Sequence, residues 1–529
     1  MGEAVMLLPI ISKLNYATMK RTIYLICTII SLYFISCSDD IKESVELQNV
    51  PQTDNGLIFS GEELIVLKGL AYGSNTLKED QAAEIALSIF SDSMNGHNKA
   101  AVSRVIKDVD IITTESTRTN KSFNEDFESD TLMYVFNFEN NAGFSIVSAD
   151  IRVSQPILAY SPYGEIIMDT NDIVGEKFFD LAELYIKTQV KEAETKHDSI
   201  LDVITQKIES FYGDSIQFGE SETAGNKAAT IVQKILLTSQ CFTTYTYTNT
   251  ANVDPLIKTA WSQNGLYNDK VSLRYQKEYN APTSYCNSIP VGCVAVAVGQ
   301  IMAYWQYPNS LNGYDGQINM NWKEIRNTDL SDNTNTNANI KEQIQYLLSY
   351  VGKGVKMNYH PSGSGAYTEH ARDYLNSIGY KAKMYNYSYD RVVTELNQKR
   401  PLYIQGVDIS PKKAGGHAWV IDGYTENNIH RKDLLTYVCI TTNTINNGEP
   451  PIYLQETVES DTKACYLHNN WGWGSSCNGY YLKDVFVCSE QYIKDDATFK
   501  KIEDVNSYNY MEEIPYDFGS NNIILTINK

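Results

Sequence analysis

The stretch Cys286–Pro308, CNSIPVGCVAVAVGQIMAYWQYP, constrains this chain most, because it describes a helix that only a protein interior can hold. Small and apolar residues fill Val294 to Ala297, Ile301 to Ala303 follow, and Tyr307-Pro308 stops the run. Apolar side chains fall on nearly every face, so the helix is predicted to be buried rather than amphipathic. Cys293 opens it, directly after Val291-Gly292. There the helix dipole and the unpaired backbone N–H groups lower a thiol pKa. Two readings follow: a reactive thiol on a central helix, or a structural cysteine in an apolar core.

The 529 residues are enough for two or three domains, and 43% hydrophobic with 20% charged content describes an ordinary globular chain. A formal net charge of −20, with no dense Lys/Arg cluster against it, argues against a nucleic-acid partner. Residues 1–37 read as a targeting segment. Met19-Lys20-Arg21 gives a positive start, Ile23 to Phe34 an apolar core, and Ser36-Cys37 its end. Met19 is a candidate true start. The core is too short for a spanning helix, and either form of such a signal implies export. Its end resembles a bacterial lipoprotein signal, with Cys37 the lipidated residue and Phe34 a departure from the usual Leu. The alternative is a plain secretory signal in which Cys37 has no special role.

From about 41 to 225 the chain reads as an α+β module. Leu77–Asp92 has helical spacing, and Thr131–Ala149 is two short strands joined at Asn140-Asn141-Ala142-Gly143. Pro156–Ile167 reads as a strand pair across Ser161–Gly164, and a long amphipathic helix is predicted over Glu176–Phe211. His97 and His197 lie in polar surroundings, and nothing in this module carries catalytic chemistry. A Ser/Thr/Gly/Asn-rich stretch follows, which places a boundary near 226–250.

A thiol nucleophile needs a base, a group that orients the base, and an oxyanion donor. His417 lies in AGGHAWVIDGY, where two glycines lead into an apolar strand and Asp422-Gly423 predicts a turn. Downstream, YLHNNWGWG offers Asn470 to hold the imidazole, Trp471 to shield it and Trp473 to pack beside it. The same motif also reads as a glycine-rich aromatic turn on a hairpin. For the oxyanion donor, Gln263 in WSQN precedes the nucleophile in a loop-like setting. Gln300 lies on the helix itself and points elsewhere.

Together, GCVAVAVGQIMAYWQYP, GGHAWVIDGY, NNWGWG and the upstream WSQNGLYN resemble the streptopain family of papain-like cysteine peptidases. RPLYIQG at Arg400–Gly406 matches in character, and MYVFNFENNAGFSIVSAD resembles the family's propeptide. The likeness covers roughly 250 to 490, with the propeptide likeness before it. It implies a papain-like α+β peptidase domain over 241–529: a helical subdomain carrying Cys293 and an antiparallel β subdomain carrying His417. An α+β inhibitory pro-domain over 38–240 would precede it. It further implies Cys293 as nucleophile, His417 as proton acceptor and donor, Gln263 in the oxyanion hole, and Asn470 with Trp471 orienting and shielding His417. Gly416 would contact a bound peptide, Ser362 and Ser364 compete for a substrate-contacting role, and Trp473 is a further substrate-binding candidate. The Ser/Gly loop also reads as a helix N-cap before Ala366–Leu375.

The chain departs from the family pattern at Leu266, where Pro is usual, and at Ser475, where a second Gly is usual. About three dozen residues, Thr425–Thr462, are inserted between the His strand and the Asn-Trp motif, as an extra hairpin or loop. Of the nine cysteines, Cys27 and Cys37 belong to the signal segment, and the other seven leave at least one thiol unpaired. Cys293 is the natural one, and the remaining six could form up to three bridges. The expected protein is a secreted or surface-anchored cysteine endopeptidase made as a zymogen. It would need no metal or cofactor, act on proteins or peptides, and be inhibited by its own pro-domain. Its only membrane contact would be the lipid anchor. Rival readings are a thiol amidase acting on cell-wall peptides and a catalytically silent surface lipoprotein.

Overall fold

A computed structural model describes residues 59–72, 74–90, 104–113, 131–166, 173–212, 241–271, 289–313, 316–330, 337–361, 363–407, 416–439, 452–486 and 523–529. All belong to the second of two units, Ile58–Lys529. The signal segment with Cys37, as well as His97, Cys286 and Ser362, lies outside the described residues.

Helix α1 (Gly61–Tyr72) opens on a reciprocal cap, in which the Glu63 N–H donates to Ser60 Oγ and the Ser60 N–H to the Glu63 carboxylate. Helix α2 (Glu79–Ser88) falls within the predicted 77–92 segment and buries Ala82, Ile85 and Ala86. Strands β1 (Ile106–Thr113), β2 (Thr131–Phe138) and β3 (Phe144–Ser148) form a meander. Asn140 and Asn141 turn between β2 and β3 with φ of 57° and 55°, which short polar side chains tolerate. After β4 (Ile157–Ser161) the expected second strand is absent among the described residues, and only an isolated bridge joins Ala142 to Gly164. Ser161 Oγ donates to the Tyr163 carbonyl at 2.7 Å, a local turn bond that competes with a ladder. Helix α3 (Ile173–Tyr212) is the predicted long helix.

The second half begins with β5 (Cys241–Val253) and then α4 (Cys293–Trp305). Every α4 residue from Cys293 to Ala303 is buried, as the all-round apolar pattern requires. A small hairpin, β6 (Ser310–Gly313) and β7 (Gly316–Asn319), leads to α5 (Trp322–Ile325), α6 (Ala338–Gly354) and α7 (Thr368–Ser377). These helices pack round α4 in one core with Trp261, Leu347, Leu348 and Leu375. The remaining elements are β8 (Lys381–Asn386), α8 (Tyr389–Asn397), β9 (Leu402–Val407), β10 (Gly416–Cys439), β11 (Ile452–Asn470), β12 (Gly479–Leu482) and β13 (Ile523–Asn528). A helical subdomain thus carries Cys293 and an antiparallel sheet carries His417, the α+β arrangement expected.

One sheet crosses both halves in the order β1-β2-β3-β4-β12-β11-β10-β9-β13-β8, with β5 paired to β10 as well. The halves join where Tyr160 and Ala159 of β4 pair with Tyr480 and Tyr481 of β12. A second core is shared: Ile85, Phe136, Ile146 and Phe178 from the first half pack in one cluster with Tyr247, Ile429, Tyr466 and Tyr481 from the second.

The inserted residues continue β10 and β11 as one long hairpin, paired from Val420↔Asn470 to Cys439↔Ile452. On its other side β10 pairs with β5 from Tyr424↔Val253 to Leu435↔Cys241. Asp422-Gly423 is therefore not the turn its sequence suggests. The strand runs through it with a register shift, and a Cβ at Gly423 would lie 2.8 Å from the Val253 carbonyl. The glycine admits a neighbouring backbone instead of reversing the chain.

Candidate active site

Cys293 is the first residue of α4, and Gly292 before it has φ 89°, a conformation that favours glycine. A Cβ at Gly292 would lie 2.6 Å from the Met357 sulfur and 3.0 Å from the Ser364 carbonyl oxygen. The Ser/Gly loop is thereby pressed against the start of the cysteine helix. Ser364 is buried, and its Oγ accepts from the His360 N–H at 3.4 Å. The N-cap reading of this loop does not hold. The following helix starts at Thr368, and its cap, Tyr367, makes no side-chain capping bond.

Gln263 is buried, and its carbonyl accepts from the Val291 N–H at 2.9 Å, two residues before Cys293. That bond fixes the Gln263 loop to the approach of the helix. Farther back, the Trp261 carbonyl accepts from the Gly474 N–H at 3.0 Å, tying the same loop to the Trp-Gly turn. A Cβ at Gly472 would touch Val296 Cγ1 at 3.0 Å, so the turn also rests on the first turn of α4.

His417 lies at the start of β10, opposite Gly406 on β9. Gly416 beside it pairs with Val407 and is exposed. The imidazole is buried and near-parallel to three indoles: Trp419 (centroids 5.9 Å, 10°), Trp471 (6.2 Å, 28°) and Trp473 (5.8 Å, 25°). Its Nε2 lies 2.9 Å from the Trp471 carbonyl oxygen. A carbonyl can only accept, so Nε2 carries the proton and Nδ1 is the ring's acceptor. Trp473 Nε1 lies 3.3 Å from the same Nε2, but that nitrogen has no lone pair to offer in this tautomer. Trp473 therefore acts on the ring by stacking.

The expected Asn470–His417 bond is not formed. Asn470 Oδ1 accepts from Gln300 Nε2 at 3.1 Å, and Asn470 Nδ2 donates to the Thr259 carbonyl at 2.7 Å. Thr259 Oγ1 closes the ring by donating to Gln300 Oε1 at 3.0 Å, and the Trp261 N–H reaches the same oxygen at 3.3 Å. All three polar side chains are buried. The ring locks α4, the Gln263 loop and the end of β11 together, and the neighbouring backbone carbonyl holds the imidazole. Gln300 was legible in retrospect, because an amide on a helix buried on every face must find a partner.

Tyr403 on β9 also faces the thiol. Burial pushes its hydroxyl up and the Cys293 sulfur adds to that, against a Thr368 hydrogen bond that pulls it down. Trp419 Nε1 donates to Asn469 Oδ1 at 2.8 Å, which fixes the plane of the indole against His417. The structure thus ties the loops of Gln263 and Ser364 and the Trp471–Gly474 turn to the start of the Cys293 helix, and sets His417 against Trp471 and Trp473. Cys293, Cys465 and Cys477 are thiols rather than disulfide halves. Among the described residues no group of three or more His, Cys, Asp or Glu has a geometry that would hold a metal ion.

Comparison with known proteins agrees with this organisation. Residues 261–481 match the Peptidase C10 family, and residues 74–188 match the Spi protease inhibitor family. The chain is 25% identical over 384 residues to streptopain of Streptococcus pyogenes, covering 67% of this chain and 74% of that one. It is 25% identical over 222 residues to the thiol protease/hemagglutinin PrtT of Porphyromonas gingivalis, 36% of this chain and 20% of that one. Among solved structures, a prointerpain A fragment of Prevotella intermedia aligns at TM-score 0.41 and 18% identity, covering 79% of this chain and 98% of that chain.

Proposed function

We propose, for a chain whose streptopain-like C10 domain makes it a cysteine peptidase with a built-in inhibitor module, an exported endopeptidase zymogen that works through Cys293 and His417. The observation that carries the reading is the Trp471 carbonyl on His417 Nε2, which leaves Nδ1 to take the thiol proton. The resulting thiolate–imidazolium pair is favoured by the N-terminus of α4, an effect of about 0.3–1 kcal/mol for such a charge at a helix end.

The thiolate attacks a peptide carbonyl. The developing oxyanion is held by the Gln263 side-chain amide and the Cys293 N–H. His417 then protonates the leaving amine, and water, deprotonated by the same imidazole, hydrolyses the thioester. Trp471 and Trp473 cover the ring, Gly416 offers its backbone to the substrate, and Ser364 or Ser362 lines the cleft. Asn470 serves through the Gln300–Thr259 ring rather than on the imidazole.

In this reading residues 38–240 are the inhibitory proregion and 241–529 the enzyme. The boundary is supported by β5, whose paired residues from Cys241 onward belong to the second half's sheet. Export and lipidation at Cys37 rest on the sequence of the first 37 residues. With the anchor on Cys37, a cut ahead of Cys241 would free the enzyme from the membrane.

The test is hydrolysis of casein against purified peptidoglycan, by wild type and by Cys293→Ala. Casein cleavage lost in the variant is expected. Release of wall peptides without casein cleavage would favour the amidase, and no cleavage of either would favour the silent lipoprotein. Labelling with a thiol-directed epoxide, followed by N-terminal sequencing, locates both the nucleophile and the maturation site.

A further inference from the structure

The extension of β10 and β11 carries a buried ammonium site far from His417. Asp433 on β10 and Thr243 on β5 stand directly opposite each other in the ladder. Lys68 of α1 enters between them: its Nζ lies 2.5 Å from Asp433 Oδ1 and also bonds Thr243 Oγ1. Thr243 Oγ1 in turn donates to Asp433 Oδ1 at 2.6 Å, and Arg431 Nε donates to Asp433 Oδ2 at 2.7 Å. Lys68 and Asp433 are 6% and 1% exposed, so neither charge can return to water while the contact stands. Burial alone would raise the Asp433 carboxyl, but Arg431 and Lys68 more than offset it and hold it below its ordinary value. Gln155, before β4, adds a second tie by donating to the Lys463 carbonyl at 3.2 Å.

On its other side α1 packs against α3, with Leu64 and Leu67 buried. A cleft of about 410 Å³, lined by Val66, Leu70, Arg152, Gln189, Glu192 and Ile200, opens between part of α1 and α3. The buried Glu63 of α1 also pairs with Lys207 of α3 at 2.8 Å. α1 and β5 both lie outside the ranges matched by the inhibitor and peptidase families, 74–188 and 261–481. The contact is thus an addition to the inhibitor module, not a part of it.

We propose that the β10–β11–β5 arm is a second docking site for the proregion, an ammonium pocket of Asp433 and Thr243 that takes Lys68 and holds α1 on the enzyme in addition to the β4–β12 junction. Its partner is the chain's own proregion, recognised by one lysine on a helix. The arm supplies the carboxylate and the hydroxyl, with Arg431 keeping the carboxylate ionised when the pocket is empty. A proregion held at two separated places leaves more slowly than one held at the β4–β12 junction alone, because release requires both contacts to open.

This rests on reading 38–240 as a proregion, so the test uses a measurement that needs no peptidase activity. Amide hydrogen exchange is followed in the full-length Cys293→Ala chain, alone and with Lys68→Met or Asp433→Asn. Removing one partner of a buried pair leaves the other charge uncompensated, so exchange over 61–72 should rise about tenfold or more while 131–148 stays as it was. The Lys68→Met/Asp433→Leu chain should exchange no faster than the Asp433→Asn chain, because both charges are then gone. A change under about twofold in both single variants, or an equal rise over 131–148, overturns the docking site. Intact protection in Cys293→Ala, together with a wild-type chain that cuts no casein, would instead count against the peptidase reading and leave the contact standing.

Discussion

Replacing Asn470 by Ala separates two accounts of how the imidazole is held. In the structure the side chain satisfies Gln300 Nε2 and the Thr259 carbonyl, both buried, and does not touch His417. Its loss strands one donor and one acceptor, at about 1–3 kcal/mol each, or about 2–6 kcal/mol together. The His417 acceptor, the Trp471 carbonyl, is untouched by the substitution. Urea unfolding of Asn470→Ala in a Cys293→Ala background should therefore show most of that loss. The folded fraction of the active variant should keep kcat/KM within about tenfold, with the shape of its pH profile unchanged. If the Asn470 side chain oriented the ring, the pattern would invert. Losing the group that fixes the catalytic tautomer costs on the order of 10⁴ in kcat in a serine triad. Unchanged stability with a fall of that size and a shifted pH profile would refute the reasoning.

Two further outcomes follow from single contacts. Gly292→Ala places a Cβ against the Met357 sulfur and the Ser364 carbonyl at φ 89°; it should cost about 1–3 kcal/mol and slow alkylation of Cys293, read by urea unfolding and mass spectrometry. The Asp433 carboxyl is held below its ordinary value by Arg431 and Lys68, with Thr243 bonded to it and Tyr245 beside it. A depressed carboxyl stabilises the fold above its unfolded pKa and loses that contribution as pH falls through the depressed value. Exchange over α1, after correction for its intrinsic pH dependence, should then be constant from pH 7 to about pH 4.5 and rise only below about pH 4.

The helix at Cys293 was legible because its constraint is local: apolar residues on every face leave burial as the sole outcome. The same pattern held the clue to Gln300, an amide with nowhere to go but a buried partner. Which atom holds His417 was not legible. Asn470 ends β11 and its side chain turns to Gln300, while the backbone oxygen of Trp471, just past the strand, meets the ring. A backbone carbonyl has no signature in the sequence. Asp422-Gly423 carries a turn signal, yet strand pairing with β5 and β11 overrides it into a bulge. The insert announced itself by its length, but its occupant did not. Lys68 lies 365 positions from Asp433, and nothing in either neighbourhood names the other.

The central claim is that His417 ionises Cys293. The direct measurement is the rate of Cys293 alkylation by iodoacetamide against pH, in the full-length wild type and in His417→Ala. With the imidazole present, the thiolate should already be formed near pH 5, so the rate should be nearly flat from there upward. Without it, the rate should climb with a midpoint nearer the ordinary thiol value of about 8.5. The same curve for both chains would contradict the account.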